Sequence, residues 1–359
     1  MTIAKTNLSS DQRAVAIQRL TALWAFSESG LGGIMHALQI PFTGLVVGGM
    51  SVIMICFIAQ LSADQYKQIL TSALLVLIIK AMVSPYTPFP AYIAVSFQAL
   101  CGFFLFSLFR ISFASILFLS LFAMLESAIQ QLLILTLFFG QSFWKATDAF
   151  VTFVAKQCGS VLAHGSQWII GLYLLVYFGG GIIIAWMAWK TLTNFSASKF
   201  DQVISDGTFK EGIRQTAVSD NKKNTRKLWL ILLLLIMLSV VLFLLSSDAK
   251  QGWLAVSKTV SWTLSVIMLW YMLINPLFIK LIKIVLQKKE SYYSDAISRT
   301  LSFLPVLRQL TALAWRESKL QRRNGRWYFF LSLLIHLSLT YNESPLGSAG
   351  MGSLNQSAS

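Results

Sequence analysis

Residues 28–49 read ESGLGGIMHALQIPFTGLVVGG, and the rest of the chain is interpreted outward from this stretch. It sets the carboxylate of Glu28 and the imidazole of His36 among small glycines in apolar surroundings. A charge is costly to bury in a membrane and is usually kept there for a function, while glycines let helix backbones approach closely. Pro41 stands where a second helix can begin, because its missing N–H would be unpaired there. We therefore predict that this stretch lines a cavity in an integral membrane protein.

The composition supports a membrane protein. Of the 359 residues, 56% are hydrophobic and only 12% are charged. Apolar runs of about eighteen or more residues recur, each long enough to cross a hydrocarbon core about 30 Å thick. In lipid each span must satisfy its own backbone, which favours helices, and the runs lack the alternation of a membrane barrel. We predict an all-α polytopic membrane protein with about eight transmembrane helices plus amphipathic interfacial helices.

The order of apolar and polar segments predicts five regions. They are a six-helix membrane domain with a candidate binding pocket (1–190), a basic cytoplasmic linker (191–226), a two-helix membrane hairpin (227–288), basic amphipathic helices at the cytoplasmic side or the interface (289–341), and a disordered polar tail (342–359).

Local features predict some of the helix boundaries. Arg110 with Ser112 is the clearest polar break in a long apolar stretch, so we expect the turn between the fourth and fifth spans there. Residues 141–167 are moderately amphipathic and are expected to lie at the outer interface. Pro305 falls inside an apolar stripe, and we expect a helix to begin at it.

The net charge of +15 is unevenly distributed. Residues 190–227 hold eight and residues 276–326 hold eleven of the 29 lysines and arginines. The excess of positive charge in cytoplasmic loops places both segments and the N-terminus in the cytoplasm of a bacterial inner-membrane protein. Lys80 falls at the outer end of a span, and nucleic acid is not an expected partner. A surface for an acidic partner or anionic lipid is the alternative interpretation, with the docking candidates Arg299, Arg308, Arg316, Arg322 and Arg323.

Polar side chains inside the predicted spans are the candidate binding groups. On a helix, residues eleven apart project almost in line, and residues four apart are one turn apart. The alternative is that the amides serve as interhelical hydrogen-bond links. We predict a pocket toward the outer half of the bilayer, with the substrate-binding candidates Glu28, His36, Gln39, Gln98, Glu126 and Gln130.

Enzyme signatures are absent from the sequence. There is no GxxxxGK[ST] phosphate loop, so ATP is expected to act only through a partner. No HExxH motif or GxSxG elbow occurs, and His36, His164 and His336 are dispersed, so we predict neither a metal site nor a cofactor in this chain. The three cysteines are scattered, which favours reduced thiols.

The first 190 residues resemble the substrate-binding component of energy-coupling-factor vitamin transporters. The resemblance rests on six spans with short loops, the glycine-rich GLGGIMHALQIPFTGLVVGG, and the outer loop SPYTPFPAYIAVSFQAL leading into a span. It implies a vitamin or similar small molecule bound from outside, and release driven by a separate membrane coupling protein with ATPases. The later half is loosely similar to that coupling protein. In place of its Ala-Arg-Gly-like motif, this chain has only ISR at 297–299 and WRE at 315–317.

Three functions fit these features. The first is a membrane transport component that binds a small molecule and couples to a cytoplasmic ATPase or other partner subunit. The second is a non-transporting assembly or scaffold subunit that recruits cytoplasmic partners through residues 276–326. The third is a membrane-embedded enzyme that acts on a lipid-linked substrate with Glu28 or Glu126 as base.

Overall fold

The computed structural model describes residues 9–37, 42–84, 87–157, 159, 165–194, 293–320 and 325–341, with seven isolated positions between 266 and 284. The elements in these residues are all helical, with no strand among them, as the sequence predicts. Most of the predicted linker and hairpin, the tail, and the candidates Gln39, Arg322 and Arg323 lie outside the described residues.

The described residues form nine α-helices and one π-helical turn. Their bounds are α1 Ser10–Phe26, a π-helical turn Ser27–Leu31, α2 Gly32–Ala37, α3 Thr43–Leu61, α4 Lys67–Val83, α5 Pro90–Phe109, α6 Phe113–Gln157, α7 Gly165–Asn194, α8 Ser294–Leu320 and α9 Arg326–Thr340. Helices α1 and α2 run on through the π-turn, because the backbone at its two ends keeps right-handed helical angles.

Local chemistry explains several of these ends. Ser9 and Gln12 form a capping box at the start of α1, since each side chain bonds the other residue's backbone N–H. Pro90 occupies the first turn of α5, where its missing N–H costs nothing. The turn expected at Arg110 is confirmed, because α5 ends at Phe109 and Arg110 has a positive φ of 53°.

Helix α6 is bent at Gly140. Its φ of 63° lies in the left-handed region that glycine adopts without strain, and it divides the 45-residue helix into two segments. The second segment ends at Gln157, so the expectation of one amphipathic helix over 141–167 is wrong. Trp144 Nε1 donates a hydrogen bond to Thr136 Oγ1 across the bend at 3.1 Å. Because of the bend, residues of the second segment line the same cavity as residues of the first.

Four of the described helices are long and apolar enough to cross a membrane: α3, α5, α6 and α7. The most hydrophobic window of α3 is 72% buried and that of α6 only 17%, so α3 runs through the centre and α6 on the outside. Large apolar side chains of α5, α6 and α7, among them Leu108, Leu133, Leu172 and Leu175, are exposed. Such a surface is expected of helices that face lipid.

Helices α8 and α9 pack onto the start of the bundle. Helix α8 contacts α1, α4 and α9, and its Leu307, Leu310 and Ala314 are fully buried. The apolar stripe is thus covered by the protein's own helices. The helix begins at Ser294 and continues through Pro305, so the expected start at Pro305 is wrong. Pro305 is exposed, where water or headgroups can reach the carbonyl that it leaves without a donor.

Candidate functional site

The π-turn places Glu28 inside the bundle. Within it, Ser27 Oγ donates to the carbonyl of Trp24 at 2.8 Å and Ser29 Oγ donates to that of Ala25 at 2.6 Å. Such bonds from a serine hydroxyl to the preceding turn loosen a regular helix and satisfy carbonyls that it would otherwise leave unpaired. A π-turn accommodates an extra residue, and single π-turns in α-helices often occur at functional sites. The two serines that flank Glu28 therefore stabilise the π-turn in which Glu28 lies.

Glu28 is buried and both of its carboxylate oxygens have partners. Lys80 Nζ of α4 lies 2.6 Å from Oε2, and Ser51 Oγ of α3 donates to Oε1 at 2.6 Å. Ser51 Oγ in turn accepts a 2.9 Å bond from Trp24 Nε1. Trp24 and Ser51 are 0% exposed. The network joins α1, α3 and α4 through one carboxylate.

Lys80 is a site residue that sequence reasoning missed. Its backbone lies one turn before the end of α4, at the predicted outer end of a span, but its side chain is only 4% exposed. The long apolar stem of a lysine can carry its ammonium far from its own Cα. Here the ammonium also lies 3.4 Å from the carbonyl oxygen of Ala91 and 5.8 Å from the ring centre of Tyr92. The one signal in the sequence is that α4 holds no carboxylate with which Lys80 could pair inside its own helix.

A cavity of about 860 Å³ lies beside this ion pair. Its volume falls in the range of pockets that bind metabolite-sized ligands, about 300–1,000 Å³. The π-turn and each helix from α2 to α7 contribute residues to its wall. The polar groups that line it include Glu28, Lys80, Gln98, Ser127, Gln130 and Gln131.

Aromatic rings form another part of the wall. Phe42, in the left-handed conformation just before α3, stacks on Tyr173 with 6.3 Å between ring centres. Tyr177 lies 6.0 Å from Phe42 and 5.0 Å from Tyr173. Trp144, from the segment after the bend of α6, lines the same cavity. The cavity therefore combines hydrogen-bonding groups with flat apolar faces, which is typical of ligand pockets.

Gln98 has a buried amide oxygen that no described residue hydrogen-bonds. It lies eight residues into α5, about 12 Å below the start of that helix. The residue is 2% exposed, it lines the cavity, and its Oε1 has no hydrogen-bond partner in the described part of the chain. A buried polar atom without a partner costs free energy, and a bound ligand is one way to satisfy it. Gly48 leaves room for this amide, because a Cβ there would lie 3.2 Å from Gln98 Nε2.

The other predicted residues have different positions. Gln130 lines the cavity, and its Nε2 donates to the Pro90 carbonyl at 3.0 Å and to Glu126 Oε1 at 3.2 Å. Glu126 is not part of the lining, but it accepts a hydrogen bond from the lining residue Gln130. His36 lies on α2, but only its backbone is described, and Gln39 falls outside the described residues. The structure thus brings Glu28, Gln98 and Gln130 to one cavity.

The glycines of the opening stretch serve mainly in helix packing. A Cβ on Gly49 would lie 2.8 Å from Ile184 Cδ1 of α7, and one on Gly44 would lie 3.0 Å from Ser127 Cβ of α6. Side chains at these positions would push α3 away from its neighbours.

No group of three or more potential metal ligands from His, Cys, Asp and Glu occurs among the described residues. No family model, curated protein or solved structure matches the chain.

Proposed function

We propose that this chain is a multi-pass protein of the bacterial inner membrane that binds a small molecule in the cavity of its N-terminal bundle, as part of a transport system. The proposal includes about eight spans and a cytoplasmic N-terminus. The observation that carries it is the cavity of about 860 Å³ that reaches the buried Glu28–Lys80 pair and Gln98, whose Oε1 has no partner among the described residues. A carboxylate held by both Lys80 and Ser51 is poorly suited to act as a free base, which favours binding over catalysis.

In the proposed orientation the cavity end of the bundle faces the outer side of the membrane. The ends of α2, α4 and α6 and the starts of α3, α5 and α7 lie at the cavity end of the bundle, whereas Ser10, Leu61 and Phe109 lie at the opposite end. With the N-terminus in the cytoplasm, the cavity takes its ligand from the outer side. This arrangement is the one expected from the resemblance to the substrate-binding component of energy-coupling-factor transporters.

A filled cavity tests the proposal. Gly32 lines the cavity, and a Cβ there meets only ordinary contacts at 3.6 Å, so Gly32→Phe adds a bulky side chain at the cavity wall without a clash at its Cβ. Gly171 is exposed on α7 with nothing within 4 Å of a Cβ, so Gly171→Phe is the matched control. We expect mass spectrometry of solvent extracts to find a small molecule with wild-type protein and Gly171→Phe, and at least tenfold less with Gly32→Phe. Equal amounts in all three proteins would contradict binding in this cavity.

A partner surface completes the proposal. Arg299, Arg308 and Arg316 are exposed on α8, while the apolar face of that helix is covered. We propose that these arginines dock an acidic cytoplasmic subunit, and a soluble ATPase is the first candidate for it. Affinity purification in mild detergent should recover that subunit with wild-type protein and with the Arg→Lys triple variant, but not with the Arg→Gln triple variant. Recovery of other envelope proteins without an ATPase would instead favour an assembly subunit.

A further inference from the structure

The cavity carries a charge pattern that restricts its ligand. Among the described lining residues, Glu28 and Lys80 are the charged ones, and each is the other's partner at 2.6 Å. Their side chains are 5% and 4% exposed, so little water remains to solvate either group. The remaining polar lining consists of amides and hydroxyls, such as Gln98, Gln131 and Thr147. The described wall therefore has no net charge.

A charged ligand would have to disrupt this pair. An anion that bound Lys80 would draw the ammonium away from Glu28 and leave a buried carboxylate without its counter-ion. A cation that bound Glu28 would leave Lys80 in the same condition. An uncompensated buried charge is strongly unfavourable, and no second charge on the described wall is present to repay it.

The neutral groups indicate what the ligand must offer. The Oε1 atom of Gln98 lacks a donor, so the ligand needs an N–H or O–H group at this depth. The rings of Phe42, Tyr173 and Tyr177 pack on one another at the cavity wall and offer a flat apolar surface to a ligand. Because these features lie in one cavity, one molecule can satisfy both.

We infer that the cavity takes an electrically neutral, planar small molecule with an N–H or O–H donor for Gln98, and that the Glu28–Lys80 pair excludes charged ligands. The inference rests on the proposed small-molecule function and names the class of molecule.

Three probes of matched shape test the charge rule: benzamide is neutral, benzoate is anionic and benzamidine is cationic at neutral pH. Binding is measured by ligand-detected NMR with the full chain in phosphatidylcholine nanodiscs, whose surface carries no net charge. We expect benzamide to bind wild-type protein at least tenfold tighter than either charged probe.

Charge variants should redirect this preference. In Glu28→Gln the unpaired Lys80 should make benzoate the preferred probe, whereas the double variant Glu28→Gln/Lys80→Gln should prefer benzamide again. If the single variant does not fold, the double variant still tests the rule. A double variant that binds a charged probe best would overturn it.

Gln98→Leu tests the donor requirement. It should weaken benzamide binding at least tenfold. Gln60→Leu is the matched control, because Gln60 also has a buried amide oxygen without a described partner but lies at the other end of α3. Equal binding by both variants would remove Gln98 from the site. Tighter binding of a charged probe to wild-type protein would overturn the neutral-ligand inference but keep the site, whereas no binding of any probe would overturn the proposed function as well.

Discussion

Two polar clusters lie within the same bundle and differ in how completely they are paired. The ion-pair cluster, formed by Trp24, Glu28, Ser51 and Lys80, joins α1, α3 and α4 through short bonds between buried groups. The amide cluster, formed by Gln98, Glu126 and Gln130, lies on α5 and α6. In it, Gln130 donates two bonds, but Gln98 has no described partner.

This difference separates two roles, helix pairing and ligand binding. The sequence alone predicts ligand binding for the polar residues of both clusters. A buried network in which each group is satisfied rigidifies the fold and has few groups left for a ligand. A network with an unpaired group facing a cavity is incomplete without one. Here the charges hold the helices together and set the electrical character of the cavity, whereas the amides supply its free hydrogen-bonding groups.

Lys80→Met should have the largest effect. It leaves the Glu28 carboxylate buried without its counter-ion, and breaking a buried pair in this way costs about 3–5 kcal/mol of unfolding free energy. The loss is measured by equilibrium unfolding in detergent. Glu28→Gln/Lys80→Met removes both charges and should recover most of it. A single variant as stable as wild type would mean that the pair does not stabilise the bundle.

Ser51→Ala should have an intermediate effect. The hydroxyl donates to Glu28 and accepts from Trp24, so its loss leaves two buried groups short of a bond and should cost about 1.5–3 kcal/mol. Ser96→Ala is the matched control, because Ser96 Oγ only donates to the carbonyl of Tyr92 in its own helix. The same unfolding measurement applies. Equal losses in the two variants would show that the ion-pair cluster gains nothing from Ser51.

Glu126→Gln should have the smallest effect. No cation among the described residues pairs with Glu126, it is half-buried, and a glutamine can still accept the bond from Gln130. The unfolding free energy should change by less than about 1 kcal/mol. A loss as large as that of Lys80→Met would put the two carboxylates in the same class and remove the contrast between the clusters.

The sequence predicts the helices better than it predicts their contacts. The turn at Arg110 follows from local chemistry, and the structure has it. Two boundary expectations fail. Helix α8 runs through Pro305 because its apolar face is buried against the bundle, whereas the segment after Gly140 ends at Gln157, just before Gly159, whose φ of 71° is typical of a glycine at a helix end. Glu28, Gln98 and Gln130 could be named because polar groups in apolar helices are conspicuous.

Lys80 could not be found from the sequence in the same way. A lysine near a helix end reads as an interfacial residue, and the reach of its side chain toward α1 depends on how α1 and α4 pack. Ser51 and the aromatic group of Phe42, Tyr173 and Tyr177 were missed because single serines and aromatics are ordinary in apolar helices. Their role arises from contacts between residues far apart in the chain.

The π-turn at Ser27–Leu31 makes the number of residues in this helix matter as much as their identity. Because a π-turn holds one more residue than an α-turn, the loss of one residue there would let it close into regular helix, and α2 would keep its rotation about the helix axis. Gly32 and the other cavity-lining residues of α2 would then still face the cavity, and the deletion would remove only the widened turn that holds Glu28. A further inserted residue cannot be absorbed in this way and would rotate α2 by about 100°, so we expect deletions in the turn to be tolerated better than insertions.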